Sequence, residues 1–422
     1  MKNILVIGTG RSSSVLIEYL LNYSQSNNYY VTVLDQFEND FLRQFQTFSN
    51  FKSLIFDIHN EKLRHKEVKK SELIISMLPA RFHTIIAKDC LFYKKNLITA
   101  SYVSEEMNSF NKDAIKQDIL MLNEIGLDPG IDHLSAMSII DSLKSKNYNI
   151  TSFKSFCGGL IAPGSCDNPW GYKFTWNPRN VVLAGCDGAK YLKNGNIKEI
   201  QYNQVFKNLE TVTIPNFGDF ESYPNRNSLH YKEKYNLEGI QTLVRGTMRK
   251  KGFSSAWDFL VENGLTNYGE SEKMFSKNDF VKKLNKIDDK FILEKINYLD
   301  IIKSDFLKEN SNGKNLQNIL EKKWKLKDDD KDMIVMQHKF EFESDNIKKR
   351  LLSSMVVIGT DNIRTAMAKT VGLPIFFAAK LILERKTSIK GVRIPIYKEL
   401  YIPILKSLEE EGINFIETTE KI

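Results

Sequence analysis

Asn3-Ile4-Leu5-Val6-Ile7-Gly8-Thr9-Gly10-Arg11-Ser12-Ser13-Ser14-Val15-Leu16 is the stretch that decides the fold. It opens with a short apolar run and breaks at two glycines. It then continues with apolar residues at helical spacing, Val15, Leu16, Tyr19 and Leu20. A continuous apolar run reads as a strand buried on both faces, and run, glycines and helix together read as the first turn of a βα unit. Glycines at such a turn let the backbone approach a pyrophosphate, while the helix start supplies N–H donors and a partial positive charge. The third glycine of that fingerprint is Ser13 here, a small residue that still allows close helix–strand packing. Gly8, Gly10, Arg11, Ser12 and Ser13 are therefore candidate dinucleotide contacts. Taken alone, the same residues also fit a plain turn before a helix.

The residues that follow repeat the unit. Tyr30–Leu34, Ser53–Phe56, Leu73–Met77, Leu97–Ala100 and Ile119–Leu122 read as strands. Helical patterns such as Phe82–Tyr93 and Glu105–Lys116 sit between them. Right-handed crossovers then predict a doubly wound α/β domain with a parallel sheet of about six strands. Asp35 ends the second strand, 25 residues beyond Gly10. An acid there accepts hydrogen bonds from ribose hydroxyls and repels a 2′-phosphate, so NAD is expected over NADP. Arg11 keeps NADP open. Asp57 ends the third strand and lies either near the adenine or in a solvated turn. Ser76-Met77-Leu78-Pro79 follows the fourth strand, where loops border the nicotinamide half of such a cleft.

Beyond Gly126 the composition shifts to Gly, Pro, aromatics and Asn. Strand-like runs at Thr151–Cys157 and Thr211–Ile214, and a helix at Ile131–Lys144, predict a second α/β domain. Ser255–Asn263, Lys277–Asn285 and Phe291–Phe306 read as helices in a Lys-rich region. Asp332–Phe342 returns to a strand pattern, and Asn362–Leu383 reads as a long buried helix around Pro374. The tail, with Val392–Ile396 and Tyr397–Ile413, reads as globular. The expected division is 1–126, rejoined by about 360–422; then 127–252 with 332–360; and a helical region over 253–331. With no low-complexity linker, these segments are expected to pack together with an active site between them.

Composition bounds the partners. The 422 residues are 42% apolar and 27% charged, which excludes a disordered or collagenous chain. The net charge of +8 is scattered, so no nucleic acid is expected. No apolar run of about 18 residues and no secretory pattern is read, so no membrane is expected and the location is cytoplasmic. Four cysteines without a CxxC pair read as reduced thiols. Six isolated histidines give no metal-ligand spacing.

Five segments rich in Gly and Pro remain. They are Thr99-Ala100-Ser101-Tyr102, Asn123-Glu124-Ile125-Gly126-Leu127-Asp128-Pro129-Gly130-Ile131-Asp132-His133, Cys157-Gly158-Gly159, Tyr223-Pro224-Asn225-Arg226-Asn227-Ser228 and Arg245-Gly246-Thr247-Met248-Arg249. Each reads singly as a turn or loop. Their arginines suit bidentate carboxylate binding and equally suit surface ion pairs. In this order, with Asp332–Phe342 and Ala366–Leu383, the segments closely resemble the glutamate-forming saccharopine dehydrogenases, also called saccharopine reductases.

The resemblance implies a Rossmann-type domain, an α/β substrate domain with a mixed sheet, and a small all-helical domain. It implies interconversion of saccharopine with L-glutamate and 2-aminoadipate 6-semialdehyde by hydride transfer and imine hydrolysis, in lysine metabolism. Substrate contacts carry over to Ser101, Tyr102, Asp128, Cys157, Gly158, Arg226, Thr247 and Arg249. Cofactor contacts carry over to Gly8–Ser13, Asp35, Asp57, Ser76–Pro79, Thr99 and Ala100, the last pair continuing into Ser101. Leu34-Asp35-Gln36-Phe37 departs from the basic and polar segment by which fungal members bind NADP.

Asp128 and Tyr102 are the candidates for acid–base work, with Asp128 equally suited to anchoring an amino group. Lys173 is a possible third cation, Cys157 a lining residue and His133 a structural histidine. A homodimer is expected only as the commonest soluble assembly. Two competing readings stand beside this one: a reductive C–N enzyme of the carboxynorspermidine synthase type, and a non-catalytic nucleotide-binding scaffold.

Overall fold

The computed structural model describes residues 2–269, 275–302, 309–344 and 347–422. The chain divides into two units: residues 1–142 with 363–414, and residues 143–362 with 415–422. The first unit holds β1 (Lys2–Ile7), β2 (Tyr29–Asp35), β3 (Phe51–Ile55), β4 (Ser71–Ser76), β5 (Asn96–Ile98) and β6 (Leu120–Leu122). These pair in parallel in the order β6-β5-β4-β1-β2-β3. A seventh strand, β16 (Gly391–Arg393), adds in parallel beside β6. It comes from the distal segment, so the sheet has one more strand than the expected six.

Ile4, Leu5, Val6 and Ile7 of β1 are wholly buried, as a central parallel strand covered on both faces requires. One face packs Leu5, Ile7, Ile74, Leu97 and Met121 against the helices between the strands. The helix Ala366–Leu383 packs on the helix Ser14–Ser26 within the same unit. Thr365 caps its start, its Oγ1 accepting from the Ala368 N–H at 2.9 Å. This helix is long and apolar enough to cross a membrane, contrary to the expectation that no such run exists, but 67% of it is buried as a core element.

The second unit is built on β7 (Asn149–Ile161), β8 (Ala189–Lys193), β9 (Asn196–Ile200), β10 (Glu210–Ile214), β11 (Gly218–Pro224), β12 (Arg226–Asn227), β13 (Thr242–Lys250), β14 (Asp332–Ser344), β15 (Ile347–Ile358) and β17 (Phe415–Lys421). The backbone order is β10-β11-β13-β7-β14-β15-β17, with β8, β9 and β12 attached to one side. β13 and β7 are parallel while β7 and β14 are antiparallel, so the sheet is mixed.

The helical region lies between β13 and β14. Phe253–Glu262, Lys277–Leu284, Lys290–Tyr298 and Asn312–Lys323 form helices. The expected helix Phe291–Phe306 stops at Tyr298, and its last residues lie outside the described residues. Among the described residues these helices share their core with the sheet. Trp257, Phe253, Leu316 and Trp324 share one cluster with Trp170, Tyr172, Phe174 and Tyr223. The Trp170 ring meets Phe253, Trp257 and Trp324 at centroid distances of 5.3, 6.0 and 5.5 Å, and its indole N–H donates to the Lys295 carbonyl at 2.7 Å. Burying these large aromatics together removes much apolar area from water and adds edge-to-face ring contacts. The other differences are at the borders. The division falls inside the helix Ile131–Ser145, beyond residue 126, and residues 415–422 go to the second unit because β17 pairs with β15.

Candidate functional site

The first unit gathers its candidates at the carboxyl ends of β1, β2, β4, β5 and β6. Gly8 leaves β1 with φ of +102°, and a Cβ there would stand 2.8 Å from the Met77 carbonyl oxygen. Only glycine fits this turn. Its N–H donates to the Leu34 carbonyl at 2.8 Å. Ser13, in the third glycine position, is buried, and its hydroxyl donates to the Gly10 carbonyl at 2.7 Å. Gly10 and Arg11 are exposed at the mouth of the turn, and Ser12 is half-buried. This is a cradle shaped for a phosphate at a helix start.

Asp35 sits at the end of β2 as expected, with a second task. One of its oxygens accepts from the Thr9 N–H at 2.5 Å and the Thr9 hydroxyl at 2.7 Å; the other accepts from the Phe37 N–H at 3.1 Å. Asp35 thus braces the glycine turn through Thr9, a member of the Gly8–Ser13 loop whose tie to Asp35 the sequence did not reveal. Asp57 is exposed and accepts from the His59 N–H at 2.9 Å, so it closes its own turn. Ser76 is buried, Met77 and Leu78 are half-buried, and Pro79 is exposed.

His83 is the larger omission. It opens the helix His83–Tyr93 and is buried. Its Nδ1 lies 2.8 Å from the Ser76 hydroxyl, and its Nε2 lies 2.7 Å from the Ser101 hydroxyl and 3.1 Å from that of Thr99. Burial pushes the imidazole down to about 4, so it is neutral near pH 7. Ser76, Thr99 and Ser101, read as separate contacts, are one network around this ring.

The Ser101–Val103 segment is held from the other side as well. Buried Glu124 accepts from the Val103 N–H at 3.1 Å and from His133 at 2.9 Å, and its own N–H donates to the Ser101 carbonyl at 3.1 Å. His133 is wholly buried on the helix Ile131–Ser145. Tyr102 and Ala100 are half-buried, and Asp128 is exposed at the head of the Leu127–Gly130 turn, before a cis peptide to Pro129. Gly130 has φ of +147°, and a Cβ on it would fall 1.9 Å from the Gly126 carbonyl oxygen. The turn therefore cannot be made without glycine.

In the second unit the expected loops are strands. Cys157 and Gly158 lie inside β7, and Arg245 to Arg249 lie inside β13. Glycines suggested turns, but both segments pair along their length. The strand period puts Arg245, Thr247 and Arg249 on one face of β13. Cys157 stands opposite Thr247 on the neighbouring strand. Arg226 is exposed, with φ of +54°, at β12. Asn225 donates its side-chain amide to the Thr247 hydroxyl at 3.2 Å.

Arg249 is 4% exposed. Its guanidinium lies 5.2, 5.9 and 5.3 Å from the ring centres of Tyr172, Tyr223 and Phe253. One arm donates to the Met248 carbonyl at 3.0 Å, and Nε finds no acceptor. Among the described residues no carboxylate pairs with it. The acid opposite it, Glu221, is spent on the backbone N–H groups of Gly252 and Ser254 at the start of the next helix. A buried, aromatic-walled cation without an anion has the chemistry to receive a carboxylate. Lys173 is not a third one: it is buried and paired with Asp167 at 2.8 Å and Asp330 at 2.6 Å. Its charge is already neutralised, and it ties two segments of the second unit together.

Residues 4–122 match the saccharopine dehydrogenase NADP binding domain, and residues 126–413 match the saccharopine dehydrogenase C-terminal domain. The chain is 31% identical to the saccharopine dehydrogenase [NADP(+), L-glutamate-forming] of Schizosaccharomyces pombe, covering 99% of each. It is 32% identical to the mitochondrial alpha-aminoadipic semialdehyde synthase of Mus musculus over 98% of this chain; there it spans about half the relative's length, 47%. The apo saccharopine dehydrogenase (L-Glu forming) structure from Saccharomyces cerevisiae superposes with a TM-score of 0.89 at 29% identity, covering all of both chains. A homospermidine synthase from Legionella pneumophila, at TM-score 0.60 and 9% identity over 99% of this chain and 91% of that one, shares the fold alone.

Proposed function

Since the chain belongs to the saccharopine dehydrogenase family, we propose that it interconverts saccharopine with L-glutamate and 2-aminoadipate 6-semialdehyde. The observation that carries this is Arg249, a buried guanidinium with no carboxylate partner among the described residues. A substrate with three carboxylates supplies what it lacks. Arg226 is the second carboxylate holder, and Thr247, Cys157 and Gly158 line the same stretch of β13 and β7. A polyamine would need acids where these arginines stand.

The glycine turn, Asp35 and the Ser76–Pro79 and Thr99–Ala100 segments fit a nicotinamide dinucleotide, which supplies the hydride acceptor when bound. Asp35 and the absence of a basic residue in Leu34–Phe37 support NAD, whereas the fungal relatives' names print NADP(+). Asp57 is the weakest of the assigned contacts, because it is exposed and closes only its own turn, whereas Asp35 is tied to the glycine turn itself.

The chain's own work is proton handling and positioning. Hydride leaves the substrate carbon only when the secondary amine is neutral, so a base must first remove its proton. An acid then returns one to the departing glutamate nitrogen. Asp128, exposed at its turn, and Tyr102, on the segment held by Glu124, take these tasks. Asp128 serves equally as a fixed negative charge beside the substrate's amino group. A homodimer and a cytoplasmic setting are part of this proposal.

The test is formation of reduced nicotinamide by purified protein given saccharopine with NAD and, separately, with NADP. Turnover with NAD that falls by about 100-fold in kcat/KM for Arg249→Met is expected, from the loss of paired charge-assisted hydrogen bonds. Turnover with NADP alone would remove the cofactor assignment and leave the reaction. No turnover with either would favour a scaffold.

A further inference from the structure

The His83 ring joins two positions that the proposed reaction uses separately. Ser76 ends β4, and Ser101 follows β5 on the segment assigned to substrate. Ser76 is wholly buried, and among the described residues its hydroxyl has one partner, His83 Nδ1 at 2.8 Å. Two hydroxyl oxygens face the other nitrogen, Ser101 at 2.7 Å and Thr99 at 3.1 Å, the Thr99 oxygen lying farther, at 3.5 Å, from Nδ1. A neutral imidazole has one N–H and one lone pair. With the proton on Nε2, the N–H is shared between two acceptor oxygens, and the Ser76 hydroxyl donates to Nδ1. With the proton on Nδ1, one lone pair at Nε2 must serve two hydroxyl hydrogens, and one of them is left over.

We propose that Ser76 and His83 preset Ser101 as a hydrogen-bond donor, making His83 a positioning residue for an anionic group of the substrate. Nε2–H donates to the Ser101 oxygen, so the Ser101 hydrogen points away from the ring. A half-buried hydroxyl so arranged favours a carboxylate over a group that must itself donate. The low imidazole pKa keeps the ring neutral through the working range, so the arrangement does not depend on pH near 7. This rests on the reading that Ser101 faces the substrate.

A double-mutant cycle tests it, using saccharopine kinetics of the full chain. His83→Met removes both ring nitrogens, and His83→Gln returns an amide donor near the place of Nε2. KM for saccharopine should rise about fivefold in His83→Met, with kcat changed less, and should recover most of that in His83→Gln. In a Ser101→Ala background His83→Met should add no further rise, because the group it positions is gone. Effects that multiply in the double variant overturn the inference. So does a Gln variant no better than Met. If Ser101→Ala alone leaves the KM for saccharopine unchanged, the site assignment fails first and the inference falls with it. Nitrogen chemical shifts of His83 that report a protonated Nδ1 would also overturn it.

Discussion

At the scale of single residues, the chemistry lies in groups whose ordinary partners are withheld. Arg249 is the clearest. A buried guanidinium without a carboxylate costs stability, and replacing it by an apolar side chain of similar volume relieves that cost. Arg249→Met is therefore expected to keep or raise the melting temperature while activity collapses; a large fall in melting temperature would mean the charge is structural. His83 makes a pH prediction. Its pKa falls from about 6.5 unfolded to about 4 folded, so the unfolded chain binds more protons between these values. Its contribution is complete above pH 6.5 and is lost as the pH falls toward 4. Urea unfolding across that window should show a shallower decline for His83→Gln than for the parent chain, and equal slopes would refute the assignment. Arg226 and Arg249 were legible because they fall in short segments punctuated by Pro224 and Gly246, where a cation stands out. His83 was not, because its meaning comes from Ser76, Thr99 and Ser101, which only folding brings together.

At the scale of elements, β1 and its turn were legible because a central parallel strand must be apolar throughout. β7 was legible only from Thr151 to Cys157, and β13 was not read as a strand. Their glycines mimic turns, yet a Cβ at Gly158 would stand 2.7 Å from the Met248 carbonyl oxygen on the adjacent strand. Those glycines mark a close approach of two strands inside a sheet. The helix Ala366–Leu383 was read about four residues too long, since Asn362–Arg364 precede its cap. That cap gives a prediction. Thr365→Ala removes the acceptor for the Ala368 N–H and should cost about 1 kcal/mol. The measure is a lower urea midpoint at an unchanged slope, with Thr365→Ser restoring most of it. No shift would mean that the helix start is satisfied by other means.

At the scale of the whole molecule, the lesson is which segments share a core. Periodicity showed helices between residues 253 and 331 and could not show that they close over Trp170 and Tyr172. Trp324→Ala should destabilise the second unit by about 3–5 kcal/mol, read by loss of near-ultraviolet dichroism on heating. A loss below about 1 kcal/mol would mean the helices stand apart. β17 was illegible for the opposite reason: six of its seven residues are exposed, so no apolar period marks it. Yet it pairs along β15 from Lys349 to Met355. This threading has a consequence for birth on the ribosome. The first sheet lacks its outermost strand until residue 393 has been made, and the second lacks its own until residue 421. Until residue 421 has been made β15 presents a bare edge to any neighbouring nascent chain, so the interval between synthesis of residues 358 and 421 is when this sheet most needs a chaperone.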